Sequence, residues 1–247
     1  MAEWITGRVV ENRQWSDRLH SLRVDADVAP FVAGQFTKLG LELDGEIVSR
    51  PYSLVSAPGV RPLDFYFSVV KDGTLSTRLA RLRPGAAVLV APKPAGLLTL
   101  NELPAGRHLF LISTGTGIGP FLSILKTDQP WQRFERVVLV HGVRLAQELS
   151  YQSTIQDMRA QYHGQFAYLP FVSRESSAQA LSGRIPQAID DGRLEACSEV
   201  EIAPHSSQFM LCGNPQMVED TMQVLLERGL KRHRRSEPGH ISVESYW

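Results

Sequence analysis

Several short stretches of this chain carry residue types that could do chemistry. Arg50, Pro51, Tyr52 and Ser53 lie in a row. They offer a cation able to grip phosphate oxygens in a forked geometry, a flat ring and a hydroxyl. Alternating residues on a solvated strand would read the same way. Gly73, Thr74, Leu75 and Ser76 open a stretch with apolar residues at helical spacing. Amide donors at a helix N-terminus suit an anion, although Thr74 or Ser76 serves equally as a plain N-cap. Ser113 to Pro120 places Gly115, Thr116, Gly117 and Gly119 between an apolar run and a helix opened by Pro120. Glycines let a backbone approach a diphosphate or a ring closely, and a tight strand-to-helix turn needs them as well. The spacing is not G-x-G-x-x-G, and no phosphate-loop lysine follows.

Arg144 and the pair Ser173-Arg174 follow apolar runs, and Arg184 lies ten residues further on in Ser-Gly-Arg-Ile-Pro. Arginines on loops leaving strand ends suit a phosphate such as the 2′-phosphate of NADP, or simply face water. Cys212, Gly213 and Asn214 end a further run before a helix. Cys212 could lie beside a bound ring or be inert packing. Glu244, Tyr246 and Trp247 stand at the C-terminus. Two terminal aromatics fit the covering of something flat, or a last strand packed on a core.

Two kinds of element must position these groups. Residues 3–92 hold six β-like runs, Ile5–Val10, Leu19–Val24, Phe36–Leu41, Ile47–Ser56, Leu63–Val70 and Ala87–Ala91, separated by turn dipeptides. That spacing predicts a closed or nearly closed antiparallel six-stranded β-barrel, interrupted by a short helix at Leu75–Leu82. From about residue 106 the rhythm becomes strand and helix in alternation. The strands are His108–Ile112, Val137–His141, Phe166–Val172, Phe209–Cys212 and His240–Val243. The helices are Pro120–Lys126, Ala146–Tyr162, Pro186–Asp190 and Pro215–Leu226. Buried strands alternating with helices predict a parallel α/β sheet covered on both faces. The expected domains are residues 1–98 and 105–247, joined near Pro94–Pro104.

The 247 residues include 26 basic and 26 acidic ones, a formal net charge of zero, which gives no footprint of a nucleic-acid binder. Two cysteines, Cys197 and Cys212, are too few for a thiolate-ligated iron–sulfur cluster. No metal site is expected. No apolar run approaches the roughly 20 residues that span a bilayer, and the N-terminus has no secretory pattern. A cytoplasmic protein without a membrane partner is expected, with a monomer as the default.

Taken in order, Arg-x-Tyr-Ser, the Gly/Ser loop, Gly-Thr-Gly-Ile-Gly-Pro, Ser-Arg, Cys-Gly-Asn-Pro and the aromatic end closely resemble bacterial ferredoxin (flavodoxin)–NADP⁺ reductases. The resemblance covers nearly the whole chain. It implies an oxidoreductase with FAD on the barrel, NADP(H) on the α/β domain, and ferredoxin or flavodoxin as partner. Arg50, beside Pro51, would bind an FAD phosphate, Tyr52 would stack on the flavin and Ser53 would face its reactive edge. Phe65, Tyr66 and Phe67 resemble the strand lining the ribityl and adenine side, and Thr74, Leu75 and Ser76 the pyrophosphate cradle. Thr116 and Gly117 would touch flavin or nicotinamide. Arg144, Ser173, Arg174 and Arg184 would hold the 2′-phosphate. Cys212, Gly213 and Asn214 would flank the nicotinamide. Ser53, Glu244 and Cys212 are the catalytic candidates, the first two for polarity and proton supply. Tyr246 or Trp247 would stack on the flavin or on adenine.

An NADH-dependent oxygenase reductase and a free-flavin reductase are the enzymatic rivals. A flavin-holding regulatory module is the rival without catalysis. The basic run Lys231 to Arg235 reads either as a solvated helix end or as part of a docking patch for an acidic carrier.

Overall fold

The computed structural model describes residues 3–245, so Tyr246 and Trp247 lie outside the described residues. The chain falls into two compact units, residues 1–99 with 119–127 and residues 100–118 with 128–247.

The first unit is built on six strands: β1 (Ile5–Gln14), β2 (Leu19–Asp25), β3 (Phe36–Leu43), β4 (Glu46–Ser53), β5 (Leu63–Ser68) and β6 (Ala87–Val90). All pairings are antiparallel, in the order β4-β3-β6-β1-β2-β5. Leu54, just past β4, bridges Phe65 of β5, and the Val55 N–H donates to the Asp64 carbonyl at 2.8 Å. The two edge strands therefore meet and the sheet closes as a barrel. Strand alternation sends Leu22, Val24, Leu39, Phe65, Phe67, Val88 and Val90 inward to one core. Helix α1 (Thr74–Leu79) adds Leu75 and Leu79, four residues apart on one face. Helix α2 (Gly119–Leu125) is buried along its whole length. It belongs to this unit, and its Ser123 Oγ–H donates to the Ser56 carbonyl at 2.6 Å.

The second unit carries β7 (His108–Thr114), β8 (Arg136–Val143), β9 (Phe166–Val172), β10 (Leu181–Ser182), β11 (Ser207–Gly213) and β12 (Ile241–Ser245). Its helices are α3 (Gln129–Arg133), α4 (Gln152–Gln161), α5 (Ile185–Asp190), α6 (Arg193–Ser198) and α7 (Pro215–Glu227). The strands are all parallel, in the order β10-β9-β8-β7-β11-β12. β11 is buried at every position, as expected of a strand covered on both faces. Phe110 and Phe209 stack at 4.7 Å in the middle of the core. Helix α7 lays Val218, Thr221 and Leu225 against it at helical spacing. From β7 the chain works outward to β10, then returns to lay β11 and β12 on the other side of β7. The order of the strands therefore reverses between β7 and β11.

The sequence reading needs three amendments. The single helix expected over Ala146–Tyr162 is a short 3-10 turn at Ala146–Glu148 followed by α4. The Glu148 carboxylate accepts the N–H groups of Arg144 and Leu145, at 2.9 and 3.1 Å, and Tyr151 takes left-handed φ of 59° before α4 starts. The strand expected to run to Ser56 stops at Ser53, because Leu54 leaves it to bridge β5. The two-residue β10 and the short helices α3 and α6 carry too little periodicity to be read in advance.

Candidate functional site

In an open parallel sheet, ligands bind outside the carboxyl ends of the strands at the point where the order reverses. Here that point is flanked by the loop after β7, Gly115 to Ile118, and the loop after β11, Gly213 and Asn214. The two loops are fastened to each other. The Asn214 N–H donates to Thr114 Oγ1 at 2.9 Å. A side chain at Gly117 would meet the Cys212 carbonyl at 2.5 Å, and one at Gly213, which has φ of 133°, would meet the Thr114 carbonyl at 2.7 Å. Gly117 and Gly213 thus serve the approach of one loop to the other. Gly115 differs: its φ is 54° and nothing lies within 4 Å of where a side chain would begin. It is the glycine that faces open space. Thr116 beside it is half-buried. The Asn214 side chain is spent as the N-cap of α7, accepting from the N–H groups of Gln216 and Met217.

Register places His141, Ser113, Cys212 and Glu244 side by side across β8, β7, β11 and β12. Paired residues of a sheet share a face, so one polar row crosses the carboxyl ends of four strands. Ser113 Oγ–H donates to the Val140 carbonyl at 3.0 Å, and Cys212 is fully buried. Glu244 Oε1 is buried with no hydrogen-bond partner among the described residues, and burial pushes the carboxyl up to about 7. His141 was not singled out in the sequence. A histidine inside the apolar run Val137–Val143 was the available signal.

The arginines converge at the other side of the same edge. β8 ends beside β9, with Val143 opposite Val172, and the Arg174 N–H donates to the Arg144 carbonyl at 3.0 Å. Ser173 is exposed, and its N–H and hydroxyl both donate to the Val143 carbonyl, at 3.1 and 3.2 Å. β10 ends at Ser182 opposite Val172, and Arg184 follows as the residue that caps α5. Arg144, Arg174 and Arg184 therefore leave three neighbouring strands at one edge. All three are exposed, and none has a carboxylate within ion-pair distance among the described residues. The nearby acids are occupied: Glu148 holds two backbone amides, and Glu175 accepts from the Ala146 N–H at 2.6 Å.

In the first unit, β4 exposes Arg50 and Pro51, half-buries Tyr52 and buries Ser53. The Arg50 guanidinium donates to its neighbour Ser49's carbonyl at 2.8 Å and has no carboxylate partner among the described residues. Tyr52 packs edge-on against Phe67, with centroids 5.7 Å apart. Burial pushes its phenol up to about 12, partly offset by the Arg50 charge, so the ring stays neutral. Phe65 and Phe67 are core side chains of the barrel, while Tyr66 is buried on the opposite face of β5. Among these three aromatics, Phe67 backs Tyr52. No side chain caps α1, where Thr74 is exposed and Leu75 buried in the core. Ser76 Oγ accepts the Val70 N–H at 3.0 Å. No group of three or more His, Cys, Asp or Glu residues able to hold a metal occurs among the described residues.

Comparison with known proteins bears on both units. Residues 111–223 match the model of the oxidoreductase NAD-binding domain family. The chain is 48% identical, over the full length of both, to the flavodoxin/ferredoxin–NADP reductase of Escherichia coli (strain K12). It is 37% identical to the ferredoxin–NADP reductase of Pseudomonas aeruginosa, covering 99% of this chain and 98% of the other. Among solved structures, the ferredoxin NADP⁺ reductase of Neisseria gonorrhoeae with bound FAD and NADP superposes with a TM-score of 0.93 at 31% identity, over the whole of both chains.

Proposed function

The chain belongs to the flavodoxin/ferredoxin–NADP reductase family, and from that premise we propose that it moves electrons between NADPH and a small one-electron carrier, ferredoxin or flavodoxin, by way of FAD. The observation that carries the choice of NADPH is the edge at which Arg144, Arg174 and Arg184 stand together without carboxylate partners among the described residues. Exposed arginines normally find acids or water. Three at adjacent strand ends, with the local carboxylates turned to backbone amides, form a site for a dianion such as the 2′-phosphate.

The residues of the barrel fit FAD by their donor set: Arg50 without a carboxylate partner among the described residues, Tyr52 a neutral ring backed by Phe67, and a helix start at Thr74 without a side-chain cap. Arg50 would hold a phosphate, Tyr52 would lie on the flavin, Ser53 would face its reactive edge, and Thr74 to Ser76 would receive the pyrophosphate. When bound, FAD accepts a hydride and passes electrons on singly. In the other unit, Gly117 and Gly213 keep two loops tight at the reversal point, where the nicotinamide end would lie with Thr116 and Cys212. Glu244, with a buried oxygen that has no partner among the described residues, is suited to hold a proton near neutral pH and to release it locally. Tyr246 and Trp247, the candidates for ring stacking, follow Glu244 after Ser245 in the chain.

For the carrier, the basic run after α7 supplies Arg232 and Arg234, both exposed. Arg235 is committed to Glu102 by two hydrogen bonds of 2.6 and 2.8 Å. We assign the docking role to Arg232 and Arg234, which have no ion-pair partner among the described residues. No helix of the described residues is long and apolar enough to cross a membrane.

The test of nicotinamide choice is Arg174→Ala with Arg184→Ala. One charge-assisted contact is worth about 1.5–3 kcal/mol, and exposure puts these near the lower end, roughly tenfold each. The double variant should lose about a hundredfold in kcat/KM for NADPH and little for NADH. Equal losses for both would remove the assignment.

A further inference from the structure

His141 lies towards the carboxyl end of β8 with no exposed surface, between Ser113 of β7 and Pro170 of β9 in the register of the sheet. Its Nε2 is 3.0 Å from the Gly115 carbonyl, and its Nδ1 is buried with no partner among the described residues. A carbonyl can only accept, so Nε2 carries the hydrogen and Nδ1 is bare. Burial pushes the ring down to about 4, so it stays neutral through the range in which proteins are assayed. Burying an imidazole with one nitrogen unsatisfied is unfavourable compared with an apolar residue of similar size. Among the described residues, what this ring supplies that an apolar side chain could not is the hydrogen bond to the Gly115 carbonyl.

That hold has a directional consequence. A trans peptide is planar, and its C=O and N–H point to opposite sides. Drawing the Gly115 carbonyl towards β8 turns the N–H of Thr116 the other way. The chain can take this path because Gly115 adopts φ of 54°, with nothing within 4 Å of its missing side chain. Resting on the reading of this loop as part of the NADP(H) site, we propose that His141 is a positioning residue: its Nε2–H fixes the Gly115–Thr116 peptide so that the Thr116 amide and side chain face the dinucleotide.

The test uses the FAD-loaded protein and reads Kd for NADP⁺ from the perturbation of the flavin spectrum. The variants are His141→Phe, which keeps the ring and loses the donor, His141→Gln, whose amide nitrogen can occupy the place of Nε2, and His141→Asn, whose amide cannot reach it. Phe and Asn should weaken NADP⁺ about five- to twentyfold. FAD retention, and kcat at saturating NADPH, should stay within about twofold. Gln should recover affinity to within about threefold of wild type. Should the Phe variant fail to fold, the contrast between Gln and Asn decides. Unchanged Kd in the Phe or Asn variant overturns the proposal, as does parallel loss of FAD and NADP⁺ binding, which would mark a general packing role. If the wild-type protein does not bind NADP⁺ at all, the parent reading falls and this one with it. Normal wild-type binding with an indifferent Asn variant overturns this proposal alone.

Discussion

Glu244 is a carboxyl held where its charge is disfavoured, and this makes it the residue whose behaviour is simplest to predict. Folded, it keeps its proton up to about pH 7, against about 4.5 for an ordinary glutamate. Between those values the folded chain binds a proton that the unfolded chain has released, so the stability contributed at this position falls as pH rises through that window. Glu244→Gln removes the dependence. Its Tm should exceed that of wild type by several degrees at pH 8 and match it near pH 4.5. The same difference at both pH values would show that burial does not hold the proton there. The arginines were legible as residues because their type and their place after apolar runs already suit a phosphate. What could not be read was that Glu148 and Glu175 turn to backbone amides and leave them unpaired. His141 was missed for a related reason: a histidine in an apolar run shows its meaning only through the distance of its ring to Gly115.

At the scale of elements, the two loops at the reversal point depend on glycine for different reasons, and substitution should separate them. Gly213→Ala places a methyl group against Thr114, in a conformation that side chains rarely adopt. It should cost about 3 kcal/mol or more in urea unfolding, combining strain and overpacking. Gly115→Ala meets open space, and its left-handed φ alone should cost about 1–2 kcal/mol. Equal costs would mean that the loops do not approach as described. The strands around these loops were readable because β7, β8, β9 and β11 are long apolar runs bounded by turn residues. The break before α4 was not, because Tyr151 in a left-handed conformation and Glu148 folded back on the chain leave no mark in the apolar periodicity. β10 has only two residues, yet it carries Arg184 to the edge shared with Arg144 and Arg174.

For the whole molecule, the balance of 26 basic and 26 acidic residues leaves no net field to attract a charged carrier, so docking must depend on local clusters. Neutralising Arg232 and Arg234 to Gln should raise KM for flavodoxin severalfold and flatten its dependence on ionic strength, with the NADPH-to-dye rate unchanged. Kinetics indifferent to both substitution and salt would remove the docking role. The two-part architecture was legible from the change of rhythm near residue 106. The assignment of residues 119–127 to the barrel unit was not, because α2 follows β7 in the chain and reads as the first helix of the α/β alternation. On this reading the chain holds FAD and reduces it with NADPH in preference to NADH. Anaerobic titration of the purified, FAD-loaded protein with each nucleotide in turn tests it most directly. Bleaching of the flavin by NADPH at far lower concentration than by NADH is the predicted result. A protein that retains no FAD on reconstitution, or one bleached only by NADH, would contradict the account.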